Sequence, residues 1–348
     1  MGKKRVQSAR RKKKPSNRDS MESSEPNNFV LDAGQGCHIC HYDAPWILGI
    51  EPFDREDYED DAEFPDVAIC PDSPHVVSVI NADSKPRTFY LTLYHQCLDA
   101  RGNLLQMGFT RDEKGDTEEV ITFILVVAAN TLMNVCRLAD DCVDLEAVHR
   151  SMDSDVQELQ LHPSAEHHSS AHAYPFPLEG EGPFLCTQGI NGGLTHFFAG
   201  SYHAVDFRCP VGTPLLAIGN GEVVEVRQDQ SVSGIHVRNL FLWNSIMLAL
   251  DDGTFVEYVH IRKGSATVNV GDRIATGQVV CESGDVGFSP EPHLHMQMHV
   301  SREVDAPTLK FALLAMDPSK EESIQTPYFP VAGSYYNSRG IAEAPFVD

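Results

Sequence analysis

The chain has 348 residues, more than one domain usually holds, so two domains with flanking tails are expected. Hydrophobic residues make up 42% and charged residues 22%, which excludes a chain disordered throughout. The formal net charge of −23 excludes nucleic-acid binding by the folded body, because most of its surface would repel a phosphate backbone.

Residues 1–27 depart from that acidic balance. Lys3, Lys4, Arg5, Arg10, Arg11, Lys12, Lys13, Lys14 and Arg18 alternate with Ser and Pro and have almost nothing apolar to bury, so a disordered basic tail is expected. Its functional readings are a nuclear-localisation signal or a contact for acidic partners, beside the plain reading of a solvated tail. The basic start runs into polar residues, so no export signal is expected. The longest apolar run, residues 120–135, is too short for a membrane span and is interrupted by Thr122, Asn130 and Thr131, so no membrane partner is expected. Nine cysteines without a repeating spacing fit free thiols in a reducing compartment, which favours the cytoplasm or nucleus. Cys37 and Cys40 have the spacing of half a zinc knuckle, but no second half lies nearby, and free thiols are the preferred reading.

Residues 28–150 contain short runs rich in β-branched and aromatic residues, VVSVI, TFYLTLYHQCL and ITFILVV, separated by turn signals such as NADSKP. They predict a β-sandwich domain, although ITFILVVAANTLMNV also suits a buried helix. Residues 151–176 are rich in Asp, Ser, His and Gln and read as a linker, in which His167, His168 and His172 are solvated rather than metal-bound. Residues 177–315 consist of short strands between Gly, Asn and Asp turns, with Asp252-Gly253 as a strong hairpin signal. The chain is therefore expected to be mainly β, with an antiparallel, barrel-like C-terminal domain and a C-terminal tail over 316–348.

Chemistry concentrates in the second domain. Side chains two apart in a strand face one side, so His293 and His295 aim two imidazoles into one space. An HxH pair alone is a weak signal, since structural histidines explain it nearly as often. HAVDF with Asp206 and YVHI with His260 fall on predicted strands of the same domain. Together, HAVDFRCPVGTPLLAIGNGEVVEV, YVHI, VGDRIATGQVV and PHLHMQM resemble the lysostaphin/LytM metallopeptidases over about a third of the chain.

That resemblance implies a zinc metalloendopeptidase in which Asp206 and His295 ligate Zn2+ while His260 and His293 act as acid/base or transition-state-stabilising groups. It also implies a peptide or peptidoglycan-like substrate. The sequence departs from the family at the first histidine ligand, four residues before the Asp, where Tyr202 stands. His196, in an upstream loop, is the preferred replacement. His203 is the alternative, but it points to the opposite face of a regular strand and reaches the metal only through a bulge. Two further readings stand beside the peptidase: an inactive binding module that keeps the fold, favoured by Tyr202, and a biotinyl/lipoyl-like carrier. The carrier ranks last, because Lys263 lacks the flanking methionines of an attachment hairpin.

Overall fold

The structure, a computed structural model, describes residues 28–41, 44–54, 67–69, 75–139, 147–153, 173–197, 199–303, 306, 308–315 and 326–345. The basic tail and the His167, His168 and His172 trio lie outside the described residues. The chain divides into two compact units, the first comprising Gly36–Met107 and Val120–Ser154, the second Asn27–Gln35, Gly108–Glu119 and Asp155–Asp348. Both are built from strands, so the protein is mainly β, as the patterning predicts. No helix among the described residues is long and apolar enough to cross a membrane.

In the first unit, Arg87–Leu93 pairs antiparallel with residues 121–127 on one side and with Ala147–Asp153 on the other, and Cys37–His41 runs parallel to residues 122–126. A second sheet joins Gly49–Pro52, Thr131–Leu138, Val76–Asn81 and Val67–Ile69 in that order. Phe89, Leu91, Phe123 and Leu125 from one sheet share an apolar cluster with Val77, Val79, Met133 and Val135 from the other. The stretch ITFILVVAANTLMNV is thus two strands and not a helix, because Asn130 breaks it with φ of 49°. The turn is held by Asn81, whose Nδ2 donates to the carbonyls of Val127 and Ala128 at 3.0 Å each.

The second unit is organised by a curled nine-stranded antiparallel sheet. Its strands are β1 (Phe184–Gln188), β2 (Val205–Arg208), β3 (Gly221–Arg227), β4 (Ser245–Leu250), β5 (Phe255–Val259), β6 (Arg273–Ile274), β7 (His293–His299), β8 (Tyr335–Asn337) and β9 (Gly340–Ala342). Their spatial order is β6-β3-β4-β5-β7-β2-β1-β8-β9. The β4–β5 hairpin turns at Asp252-Gly253, where Gly253 takes φ of 90°, a conformation open to glycine without steric cost.

Alternation along the strands separates two faces. Leu294, Met296 and Met298 of β7 enter the apolar core with Val205 and Phe207 of β2, Ile246 and Leu248 of β4, and Val256 and Tyr258 of β5. Removing Leu294, which is fully buried, would cost about 2–5 kcal/mol by lost transfer energy plus cavity. The intervening residues, His293, His295, Gln297 and His299, share the opposite face with Asp206 and Arg208. That strand lies inside the sheet, between β5 and β2, so the histidines do not decorate an edge.

Three features differ from the sequence expectation. Gly108–Arg111 pairs with Ser233–Gly234, so a short stretch from within the first domain's span belongs to the second unit. The expected tail contributes β8 and β9, with β8 seated on β1; strands of three residues carry too little alternation to be legible. At the linker's ends, Ala147–Asp153 and Ala173–Pro175 are strands.

Candidate metal centre

Antiparallel pairing of β2 with β7 sets Asp206 directly opposite His295, and His295 Nδ1 lies 2.9 Å from Asp206 Oδ1. A third group comes from the loop between β1 and β2. The loop is closed by Asn191 N–H donating to the Tyr202 carbonyl at 2.8 Å, and His196 N–H donates to the Gly192 carbonyl at 3.0 Å. This turn directs the His196 ring inward, where Nε2 reaches 3.2 Å from Asp206 Oδ1 and 3.2 Å from His295 Nδ1. His196, Asp206 and His295 each offer one ligand atom, all within 4.8 Å of one another.

The outer hydrogen bonds fix what faces the centre. His196 Nδ1–H donates to the Gly189 carbonyl at 3.0 Å, which only accepts, so Nε2 is the atom turned to the centre. His295 Nε2 stands 3.2 Å from Gln297 Oε1, and its Nδ1 is turned to Asp206 Oδ1. Burial works to raise the Asp206 carboxyl, yet the imidazoles of His196, His293 and His295 hold it well below the usual range, as a carboxylate. Its Oδ2 accepts from Gln188 Nε2 at 2.8 Å, leaving Oδ1 toward the imidazoles. His196 Nε2, His295 Nδ1 and Asp206 Oδ1 thus converge on one another, and two imidazoles with one carboxylate match a zinc site that keeps one position open.

His260 and His293 adjoin this cluster, with ring centroids 4.6 Å apart. Sequence alternation places His260 on a strand, but β5 ends at Val259 and His260 follows it in a left-handed conformation with φ of 62°. A non-glycine residue held there is strained, and the conformation persists where its surroundings impose it. Here His260 Nδ1–H donates to the Val286 carbonyl at 2.7 Å. Gly284 lets that segment pass close behind, since a Cβ on it would lie 2.7 Å from the His260 carbonyl oxygen and from Arg262 N. His293 Nδ1–H likewise donates to the Glu291 carbonyl at 2.7 Å. Both rings therefore leave Nε2 free to face the centre, and His293 Nε2 lies 4.0 Å from Asp206 Oδ1. Burial, then the neighbouring His293 and His295, holds His260 well below the usual histidine range, so it is neutral. A cavity of about 30 Å3 opens here, lined by Asp206, His260, His293, His295, Thr195 and Phe288, with room for water but not for a bulky side chain.

His203 is not part of the cluster. Its Nδ1 lies 3.0 Å from the Thr308 carbonyl, and burial pushes it down to about 4. Cys37 and Cys40 sit three apart on one strand, hence on opposite faces. Burial pushes the Cys37 thiol up to about 12, and neither cysteine joins a ligand group among the described residues. Sequence reading missed Gln188, whose Oε1 accepts from the N–H groups of Thr195 and His196 at 2.7 and 3.2 Å while its Nε2 holds Asp206. It also missed Gln297, although the period-two rule puts Gln297 on the face of His295.

Comparison with known proteins gives the family of the domain. The model of peptidase family M23 matches residues 200–307. The glycyl-glycine endopeptidase ALE-1 of Staphylococcus capitis is 38% identical over 119 residues, 34% of this chain and 27% of that protein. Lysostaphin of Staphylococcus simulans is 36% identical over 123 residues, 35% of this chain and 21% of that protein. This chain thus matches only about a quarter of the length of these relatives. The solved catalytic domain of lysostaphin from Staphylococcus simulans is 32% identical and covers 37% of this chain and 86% of the domain, with a TM-score of 0.26. Residues 200–307 are a domain of peptidase family M23, of the lysostaphin/LytM type that the HAVDF and HLH motifs resemble.

Proposed function

We propose that this domain is a zinc-dependent metalloendopeptidase that hydrolyses a peptide bond in a peptidoglycan-like or glycine-rich substrate. The observation that carries the reading is the convergence of His196 Nε2, Asp206 Oδ1 and His295 Nδ1 within 3.2 Å of one another. These residues would hold the ion. When bound, zinc supplies Lewis acidity, bringing the pKa of water to roughly 7 and polarising a carbonyl.

The remaining chemistry falls to His260 and His293. Their Nδ1 protons are occupied by the Val286 and Glu291 carbonyls, so each Nε2 can accept a proton from the attacking water and return it to the leaving amine. A protonated Nε2 also donates toward a developing oxyanion. The small cavity admits the water while the peptide backbone lies across its mouth, which suits residues with little side chain and agrees with the glycyl-glycine specificity named for ALE-1. The inactive-module reading depended on Tyr202, and His196 offers an imidazole in place of the one missing there.

Incubating the purified chain with a glycine-rich peptide, with and without a chelator, tests the proposal. Chelator-sensitive cleavage that His293→Ala abolishes supports it. A zinc-loaded chain that leaves glycyl peptides and peptidoglycan fragments intact would refute it in favour of a binding role.

A further inference from the structure

Residues 108–119 belong to the second unit, although the residues on either side of them belong to the first, and they lie outside the family match at 200–307. Gly108–Arg111 is laid against Ser233–Gly234, with Arg111 opposite Ser233 and the Ile235 N–H donating to the Phe109 carbonyl at 2.9 Å. The approach is close. Gly234 has φ of 92°, and a Cβ on it would collide with the Phe109 carbonyl. Thr110 and Ser233 are both buried there, so the inserted strand is packed into the unit and does not merely lie on it.

On its other side Ser233–Gly234 borders the segment 285–291. Gly287 N–H donates to the Val232 carbonyl at 2.8 Å, and Ser289 N–H donates to the Gly234 carbonyl at 3.3 Å. That segment supplies the carbonyls that hold both rings assigned to proton transfer, Val286 for His260 and Glu291 for His293. Asp285 pins its start. The Asp285 carboxylate accepts from Ser233 Oγ at 3.0 Å and, through both oxygens, from Arg111 Nη2 at 2.9 Å each, across 174 positions of sequence. Asp285 is mostly buried, so without the guanidinium its charge would be drawn toward water and the segment with it.

We infer that Arg111 is a positioning residue for His260 and His293: through Asp285 it anchors the segment whose carbonyls orient both rings. The inference rests on the peptidase reading for the role of the two histidines. The anchoring itself is a property of the chain without metal or substrate. Arg111 does not line the cavity at the centre, so its effect on catalysis passes through the segment 285–291. Small displacements of a reacting group are enough for such an effect, because proton transfer needs hydrogen-bond reach and alignment.

The test uses the full chain and two readouts: the kinetics of cleavage of a glycine-rich peptide by the zinc-loaded protein, and hydrogen exchange followed by NMR in the metal-free protein. Arg111→Leu should lower kcat by roughly 10- to 100-fold while KM and zinc affinity stay within a few-fold of wild type. It should also speed exchange at the Gly287 and Ser289 amides and at the His260 Nδ1 proton, and leave the core amides of Leu248 and Val256 unchanged. Arg111→Lys should restore most of both readouts, since the contact comes from one nitrogen, Nη2, that an ammonium can replace. Asp285→Asn, which still accepts from Ser233, carries the same expectations as Arg111→Leu if that variant fails to fold. Wild-type kcat and exchange in Arg111→Leu overturn the inference. So does faster exchange spread evenly over the sheet without recovery in Arg111→Lys, the mark of a purely structural role. Failure of the peptidase reading looks different: wild type cleaves no peptide, and exchange at Gly287, Ser289 and the His260 proton then decides the anchoring by itself.

Discussion

His196 Nε2 stands 3.2 Å from His295 Nδ1, although the two residues are 99 apart in the sequence. With His196 brought there by the loop, the proposed site needs no imidazole at Tyr202, and His203 bonds elsewhere, to the Thr308 carbonyl. His196→Ala should therefore weaken zinc binding by about 100-fold or more, the loss of one of three ligands. His203→Ala should leave zinc affinity within a few-fold but cost roughly 1–3 kcal/mol of stability, because the buried bond between His203 Nδ1 and the Thr308 carbonyl is lost. Competition titrations and denaturant melts of the two variants read both effects.

Gln188 connects β1, the loop and Asp206 through four hydrogen bonds. Gln188→Leu is expected to reduce zinc affinity by about 10- to 100-fold. Gly192→Ala should act the same way from a distance, since a Cβ there would collide with the Gln188 side chain. Unchanged affinity in both would remove Gln188 from the account.

In the proposed mechanism His260 and His293 serve proton transfer and not metal retention. Their alanine variants should keep zinc near wild-type stoichiometry while peptide hydrolysis falls by about 100-fold or more. Gly284→Ala should resemble His260→Ala, because an added methyl presses on the backbone of His260 and Arg262. Metal loss from both histidine variants would reverse the assigned roles.

Stability should fall as the solution is acidified below neutrality. Burial pushes both His203 and His236 down to about 4. Unfolded, each titrates near 6.5, so between about 6.5 and 4 the unfolded chain binds more protons than the folded one. The stabilisation is complete above pH ~6.5 and is lost as pH falls toward 4. His236 Nδ1 accepts from Arg238 N–H at 3.1 Å, a bond that protonation removes. Urea melts of the wild type at pH 7 and 5 should differ by more than those of the His203→Ala and His236→Ala double variant. Equal differences would show that these rings do not carry the effect.

What the sequence shows is what strand period and turn chemistry encode. The HLH alternation, the Asp252-Gly253 turn and Asp206 on a strand could all be read locally, because a side chain's direction within a strand follows from its position. The same rule extends to Gln297, two residues beyond His295. Other parts of the site depend on tertiary closure. Asp206 meets His295 through a register that no local pattern specifies. His260 faces the centre through a left-handed backbone that alternation misreads as continued strand. Gln188 acquires its position at an irregularity in the β1–β2 pairing, and β8 and β9 are too short to announce themselves.

Metal content of the purified chain is the most direct test of the central claim, that His196, Asp206 and His295 form one zinc site. Elemental analysis after dialysis should find about one zinc per chain in wild type and in the Cys37→Ser, Cys40→Ser double variant, and almost none in Asp206→Ala or His295→Ala. Stoichiometric zinc that survives Asp206→Ala and His295→Ala but disappears with the cysteines would place the metal in the other unit and contradict the account.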